Sequence, residues 1–271
     1  MARARIGISG WTYPGWRGDF YPAGLPRRRE LAYAAERLAS IEINGSFYAL
    51  QKPSSYARWR DETPAEFVFA VKGGRYITHV ERLRDVTEAL ANFFASGVLA
   101  LGPKLGPLLW QLPPTLQFDA DLLGAFLQQL PRSTTDAAAL GARHGEKVSG
   151  DRVYLDVVAD VPVRHAIEVR HPSFDTAPAR ALFERHEVAV VLADTAGRYP
   201  VIDSPAEEFA YLRLHGDREL YASGYTAEAL DRWASHIRAY VADGRDVYAY
   251  FDNDMKGFAP RDARRLDRLV V

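Results

Sequence analysis

The chain has 271 residues, of which 48% are hydrophobic, 12% aromatic and 25% charged. This composition is typical of a globular protein with a large buried core, and it excludes disordered, collagen-like and coiled-coil chains. A formal net charge of −1 gives no overall attraction to nucleic acid or to an anionic membrane, and the absence of cysteine excludes disulfides and thiolate metal sites. Neither a signal peptide nor a membrane-spanning run is visible, so we expect a cytoplasmic protein with no membrane partner.

Short apolar runs with β-strand character recur along the chain, and each is followed by helical spacing or a helix-capping signal. The eight runs are 6–9, 40–44, 67–72, 108–112, 165–169, 188–193, 209–214 and 247–251. At about 34 residues per strand, the count predicts one (β/α)8 barrel of the TIM type spanning residues 1–271. A doubly wound parallel sheet is the alternative within the same α/β class.

Two of the covering helices have the clearest apolar spacing. One begins at Val80 and is expected to stop at Gly97, and the other follows Thr226 as N-cap and is expected to stop at Gly244. Residues 131–164 are the least regular, with a polar helix predicted at 134–144 and a β-like segment at 152–158. We interpret 131–164 as an insertion before strand five and not as a second domain.

Polar residues follow almost every predicted strand. In a parallel barrel the loops after the strands form one rim, so these residues are expected to converge there as a ligand site. The candidate site residues are Trp11, Glu42, Asn44, Tyr48, Lys72, His79, Gln111, Glu168, Arg170, His171, Asp194, Arg213, His215, Asn253 and Asp254. The cations Lys72, Arg170 and Arg213 predict an anionic ligand, most simply one that contains phosphate, such as a nucleotide, nucleic acid or sugar phosphate.

The acidic and histidine side chains at the predicted rim suggest acid–base chemistry. Glu42 and Glu168 are candidates for the general base, and His79 and His215 for the general acid, of a hydrolytic or isomerase reaction. The alternative is structural: the two glutamates pair with Arg213 or Lys72 as buried ion pairs. The sequence therefore leaves open whether the protein is an enzyme.

Two other functions remain open at this point. A non-catalytic module could bind single-stranded nucleic acid by stacking bases on Trp11, Trp16, Phe47 and Tyr48. A hydrolase or isomerase could instead hold a divalent metal through Glu168, Asp194, His171 and His215, although no metal-binding motif is present and no metal site is predicted. The arginines at 27–29 and at 261, 264, 265 and 268 are interpreted as solvated faces. The cofactor and the oligomeric state stay undetermined.

Several long motifs of unusual composition carry a family resemblance. They are GISGWTYPGW at 7–16, EINGSFY at 42–48, FVFAVK at 67–72, EVRHPSF at 168–174, RLHG at 213–216 and YFDND at 250–254. In this order, and over nearly the whole chain, they resemble the YecE-like family, a bacterial and archaeal domain of unknown function (domain of unknown function 72). The resemblance implies a TIM-type barrel but no established activity, so any chemistry must be argued from the site.

Overall fold

A computed structural model describes residues 1–202, 204 and 208–270. The chain forms two compact units, the first from Met1–Glu42 with the chain from Ala189 onward, and the second from Ile43–Val188. The strands are β1 (Ala4–Ser9), β2 (Ser40–Ile43), β3 (Val68–Lys72), β4 (Leu105–Gln111), β5 (His165–Glu168), β6 (Ala189–Val190), β7 (Leu192–Asp194), β8 (Phe209–Leu214) and β9 (Asp246–Phe251). The α-helices are α1 (Glu30–Ala35), α2 (Gly45–Tyr48), α3 (Pro53–Asp61), α4 (Thr87–Ala95), α5 (Ala120–Gln128), α6 (Thr134–Gly141), α7 (Ala177–Arg185), α8 (Ala227–Ala242) and α9 (Phe258–Val270).

The first unit is a set of parallel strands covered by amphipathic helices. β1 pairs in parallel with β2 and β9, and β8 pairs in parallel with β9 and β7. α8 begins after Thr226, whose hydroxyl accepts a hydrogen bond from the Ala229 amide as predicted for an N-cap. α8 packs on α9, and α9 packs on β1, so the apolar faces of both helices are buried.

The second unit follows the same principle, with β4 paired in parallel to β3 and to β5. Its apolar core includes Trp110 on β4, whose ring contacts Phe93 of α4 and Phe126 of α5. α6 occupies most of the helix predicted at 134–144 and begins after Ser133, whose hydroxyl accepts from the Asp136 amide. No helix in the described part of the chain is long and apolar enough to cross a membrane.

The strand predictions are confirmed in position, with three local corrections. The sixth apolar run is divided at Val191 into β6 and β7, so the described chain has nine strands instead of eight. The helix predicted from Val80 begins only at Thr87, because Arg82, Leu83 and Asp85 have positive φ angles that no helix allows. The β-like segment at 152–158 is not a strand and makes one isolated bridge through Tyr154.

His165 lies fully buried at the start of β5 and gives the second unit a pH-dependent stability. Its Nδ1 accepts from Trp110 Nε1 at 3.1 Å and its Nε2 donates to Pro131 O at 2.7 Å, so the ring is neutral. Burial lowers the pKa of His165 to about 4. The unfolded chain takes up this proton near pH 6.5, so stability should fall as the pH is lowered from there towards 4.

We expect His165 to account for a loss of about 2 kcal/mol in the free energy of unfolding between pH 7 and pH 5. Urea unfolding at the two pH values measures this loss. The matched control is His165→Gln, whose amide can accept from Trp110 and donate to Pro131 but does not titrate. The variant should have a correspondingly flatter pH dependence, and equal dependence in the two proteins would contradict the assignment.

Candidate functional site

Arg213 on β8 is the centre of a buried polar cluster in the first unit. Its Nε donates to Glu42 Oε2 at 3.1 Å and its Nη2 donates to Glu42 Oε1 at 2.8 Å, a two-point ion pair between fully buried side chains. The same Nη2 donates to Asp252 Oδ2 at 2.8 Å. Arg213 thus links the end of β2 to the residue that follows β9. We call Ser9, Glu42, Tyr211, Arg213, His215 and Asp252 the Arg213 cluster.

Glu42 has both carboxylate oxygens fully engaged within this cluster. Besides the two bonds from Arg213, it accepts from Ser9 Oγ at 2.8 Å and from Tyr211 OH at 2.6 Å. Ser9 is placed opposite Glu42 by the register of β1 and β2, and Tyr211 shares a face of β8 with Arg213 because side chains alternate along a strand. Burial and the neighbouring Glu42 raise the pKa of Tyr211 well above its usual value, so its hydroxyl stays a donor.

His215 extends the cluster by one more residue pair. Its Nδ1 lies 3.1 Å from Asp252 Oδ2 without the geometry of a hydrogen bond, and its Nε2 lies 3.5 Å from Arg213 Nη1. His215 and Glu42 are both fully buried, so neither touches solvent. The side chain of Asp252 is 14% exposed and is therefore the charged member of this cluster that solvent reaches.

A second carboxyl group, that of Asp254, lies near the Arg213 cluster and has a raised pKa. Tyr13 OH donates its single hydrogen to Ser9 O at 2.7 Å, and the Tyr13 hydroxyl is also hydrogen-bonded to the Asp254 side chain. Burial and, after it, the charge of Asp252 raise the pKa of Asp254, while the hydrogen bond with Tyr13 lowers it.

Other candidates of the first unit make structural contacts. Asp194 accepts from Tyr225 OH at 3.1 Å and Trp233 Nε1 at 3.3 Å, and burial raises its pKa. Asn253 is fully buried and donates to Asp262 Oδ2 at 3.0 Å. The Trp11 carbonyl accepts from Tyr21 OH at 2.7 Å, while the Trp11 side chain is half-buried.

Trp16 is not available for stacking on a base. Its side chain is fully buried and packs against Tyr13 with ring centroids 4.5 Å apart, and against Tyr21 at 6.2 Å. This aromatic cluster is the hydrophobic core beneath the 3-10 turn Pro14–Trp16. One of the four aromatics of the nucleic-acid hypothesis is therefore a packing residue.

Lys72 at the end of β3 is the centre of a separate polar cluster in the second unit. Its Nζ donates to Gln111 Oε1 at 2.8 Å and lies 4.3 Å from the centroid of the Phe47 ring, a cation–π contact. Ser46 Oγ donates to the Lys72 carbonyl at 2.6 Å and so ties α2 to β3. We call Phe47, Lys72, His79, Gln111, Glu168 and Arg170 the Lys72 cluster.

His79 is the half-buried histidine of this cluster. Its ring contacts Phe47 edge-on with centroids 5.1 Å apart, and its Nδ1 lies 2.9 Å from Thr78 Oγ1. Burial lowers the pKa of His79 to about 4, and the positive charges of Lys72 and Arg170 are the next largest causes. The imidazole is therefore neutral at pH 7, in a region of positive potential.

The remaining candidates of the second unit differ in their surroundings. Arg170 Nε donates to the fully buried Glu168 at 2.6 Å, an ion pair beside Gln111 in the register of β4 and β5. His171 accepts at Nδ1 from the Ser173 amide at 3.2 Å and thereby caps the 3-10 turn Pro172–Phe174.

Two further candidates, Tyr48 and Asn44, belong to the second unit but are not members of the Lys72 cluster. Tyr48 is 74% exposed and contacts the Phe47 ring edge-on, with centroids 5.2 Å apart. Asn44 Oδ1 is buried and lacks a hydrogen-bond partner among the described residues. The segment 44–48 thus contains both an exposed aromatic ring, that of Tyr48, and a buried hydrogen-bond acceptor, Asn44 Oδ1.

The structure brings the candidates together as two clusters in different units, and the single rim predicted from the sequence stays a prediction. Sequence reasoning missed Ser9, Tyr211 and Asp252 as members of the Arg213 cluster. A signal for Asp252 is present in the sequence, because it directly follows β9, but the prediction names Asn253 and Asp254, the next two residues. Tyr211 could have been found from its spacing of two residues from Arg213.

The described residues contain no group of side chains that could together bind a metal ion. Within residues 1–202, 204 and 208–270, no three histidine, aspartate or glutamate side chains are grouped as metal ligands would be. Asp194, Glu168, His171 and His215 instead make the protein contacts given above. The metal-dependent hypothesis therefore receives no support from the geometry.

Comparison with known proteins places this fold among relatives without an assigned reaction. A family model described as a protein of unknown function, DUF72, matches residues 5–271. The chain is 24% identical over 294 residues to the UPF0759 protein YunF of Bacillus subtilis, covering 98% of this chain and 94% of that one. It is 31% identical over 127 residues to the UPF0759 protein YecE of Escherichia coli K12, covering 46% of this chain and 44% of that one.

Solved structures show the same fold. A DUF72 family protein of Thermotoga maritima has a TM-score of 0.77 at 21% identity and covers 99% of both chains. A DUF72 family protein of Enterococcus faecalis has a TM-score of 0.74 at 16% identity, covering 98% of this chain and 95% of that one. Together with the parallel strands and covering helices, these likenesses confirm the predicted α/β fold class of the TIM-barrel type.

Proposed function

The chain belongs to this DUF72 family, and we propose that it binds a small phosphate-containing anion at the Lys72 cluster. The observation that carries the proposal is the placement of two cations, Lys72 and Arg170, in the cluster that contains the half-buried His79. Burial is the largest cause of the low pKa of His79, about 4, and the positive charges of Lys72 and Arg170 lower this pKa further. The same two positive charges attract an anion.

Preorganisation of the two cations supports the same proposal. Gln111 and the ring of Phe47 hold the Lys72 ammonium, and Glu168 holds the Arg170 guanidinium. Because the side chains of Lys72 and Arg170 are already ordered, they lose little conformational entropy when a phosphate binds. Within the cluster as defined, two cations accompany one carboxylate, and this balance favours an anionic ligand.

The exposed Tyr48 supports an organic part on the ligand. Its ring contacts Phe47, which in turn contacts Lys72 and His79, so a flat group could lie on Tyr48 while its phosphate reaches the cations. Because His79 is neutral at pH 7 in the free protein, we assign it as the proton donor only after bound phosphate has raised its pKa, and we assign Glu168 as the acceptor. Glu42 and His215 are fully buried in the Arg213 cluster, and we assign them a structural role.

Phosphate binding should raise the pKa of His79. A bound phosphate dianion offsets the charge of Lys72 and Arg170, so the imidazole gains a proton more easily, and its titration should move upward from about 4. Titration of the His79 ring by NMR, with and without inorganic phosphate, measures this shift in the unaltered protein. An unchanged His79 pKa at saturating phosphate would contradict the proposal.

Removal of the Lys72 charge should weaken phosphate binding. We expect Lys72→Met to reduce the affinity for inorganic phosphate by about tenfold or more in calorimetric titration, because a charge-assisted hydrogen bond is lost. The matched control is Lys52→Met, which removes the same charge from an exposed lysine of the same unit. Equal affinities of the two variants would place the phosphate elsewhere.

A further inference from the structure

The last helix, α9, carries an unusual row of arginines over a groove in the first unit. Arg261, Arg264, Arg265 and Arg268 are spaced i, i+3, i+4 and i+7, which places them on one face of the helix. All four line a groove of about 250 Å³ together with the aromatic rings of Phe20 and Tyr33 and the carboxylate of Asp19. The opposite face of α9 is buried through Ala259, Ala263 and Leu266.

The four guanidinium groups are not equivalent. Arg265 is fixed by Asp262 at 3.1 Å and by the Tyr225 carbonyl at 2.9 Å, and Arg261 lies 3.5 Å from Asp19. Arg264 and Arg268 are exposed, and neither has a hydrogen bond or an ion pair within the described part of the chain. Two anchored cations thus lie beside two that have hydrogen-bond donors to offer.

Like charges at this spacing destabilise a helix unless something offsets them. Among the described residues that line the groove, Asp19 is the one acidic residue and it faces four arginines, so the charge of the lining is strongly positive. The net charge of the whole chain is only −1, which makes this local excess a feature of the groove and not of the protein in general. An anion with several negative charges is the ligand that such a lining favours.

The volume of the groove and its aromatic residues limit the class of ligand that fits. About 250 Å³ is below the usual range of small-molecule pockets, so the ligand group inside it must be compact. Phe20 and Tyr33 meet edge-on with centroids 5.6 Å apart, and Arg37 lies 3.4 Å above the Tyr33 ring. A lining that contains both basic groups and aromatic rings fits a phosphorylated group attached to a flat or apolar organic part.

We propose that this groove is a second anion site, independent of the Lys72 cluster, that binds a diphosphate group, either free or as the end of an organic diphosphate. Arginine forks contact phosphate oxygens in pairs, and a diphosphate offers oxygens to two forks at once. Arg264 and Arg268 bind its oxygens directly. Arg261 and Arg265 complete the positive wall, and the organic part lies toward Phe20 and Tyr33.

The test uses inorganic pyrophosphate as probe, measured by calorimetric titration of the Lys72→Met protein so that the other proposed site is weakened. In that background, Arg264→Ala with Arg268→Ala should reduce pyrophosphate affinity about tenfold or more. The matched control is Arg27→Ala with Arg28→Ala, which removes two exposed arginines outside the groove and should leave the affinity unchanged. Each of the arginines replaced in the two double variants is exposed. Both double variants should therefore unfold at the same temperature as the parent.

The outcomes separate the two proposed sites and the two ligand sources. Pyrophosphate binding that survives Lys72→Met but is lost with Arg264 and Arg268 supports the groove. Tighter binding of adenosine diphosphate than of pyrophosphate identifies an organic diphosphate, and the reverse order identifies the free ion. Equal losses in both double variants would mean general attraction to surface charge, and no loss in either would mean a different site; each overturns the proposal.

Discussion

Replacement of Arg213 by methionine is expected to lower the free energy of unfolding by about 4 kcal/mol. The change leaves the carboxylate of Glu42 fully buried without its two-point cation and removes the cation between Glu42 and Asp252. A buried charge that has lost its partner is among the largest destabilising effects of a single substitution. Urea unfolding at pH 7, followed by circular dichroism, measures the change.

Two controls separate charge from packing at Arg213. In Arg213→Met with Glu42→Gln the buried charge at position 42 is also removed, so part of the lost stability should return. Arg218→Met removes an exposed arginine from the loop after β8 and should change stability by less than about 0.5 kcal/mol. A loss below about 1 kcal/mol for Arg213→Met would show that the ion pair is not held as the structure describes.

The strands were predictable because each one is an apolar run that ends in polar residues. The apolar runs do not indicate the backbone conformation of the segments between the strands. The positive φ angles of Arg82, Leu83 and Asp85 delay the start of α4, and none of these residues has the glycine side chain that signals such a conformation. The segment at 152–158 alternates like a strand but has only the one bridge at Tyr154, because strand formation needs a partner.

The charged residues of the candidate site were predictable in type and in their place at strand ends, but their pairing was not. Arg213 was expected to hold a ligand, yet it is bonded to Glu42, 171 residues away in sequence. That pairing depends on which side chains share a strand face and how neighbouring strands are aligned, and a single sequence does not state either. The structural alternative weighed for Glu42, a buried ion pair with Arg213, is the observed arrangement.

The approach of β1 to β2 is the feature that sets the alignment of this cluster. Gly7 lies opposite Ser40, and Ser9 lies opposite Glu42 two residues further along the same pair. A Cβ atom at Gly7 would overlap the backbone carbonyl of Ser40, so only glycine allows the two strands to lie this close. The hydrogen bond of 2.8 Å from Ser9 to Glu42 depends on that spacing.

We therefore expect Gly7→Ala to lower the free energy of unfolding by about 3 kcal/mol, because the added methyl group must push β1 away from β2. The matched control is Gly15→Ala, where a Cβ would meet no atom within 4 Å, and its stability should change by less than about 0.5 kcal/mol. Urea unfolding of both variants compares them directly. If Gly7→Ala were as stable as Gly15→Ala, β1 and β2 would be further apart than described, and the Ser9 contact that orients Glu42 could not be made through this register.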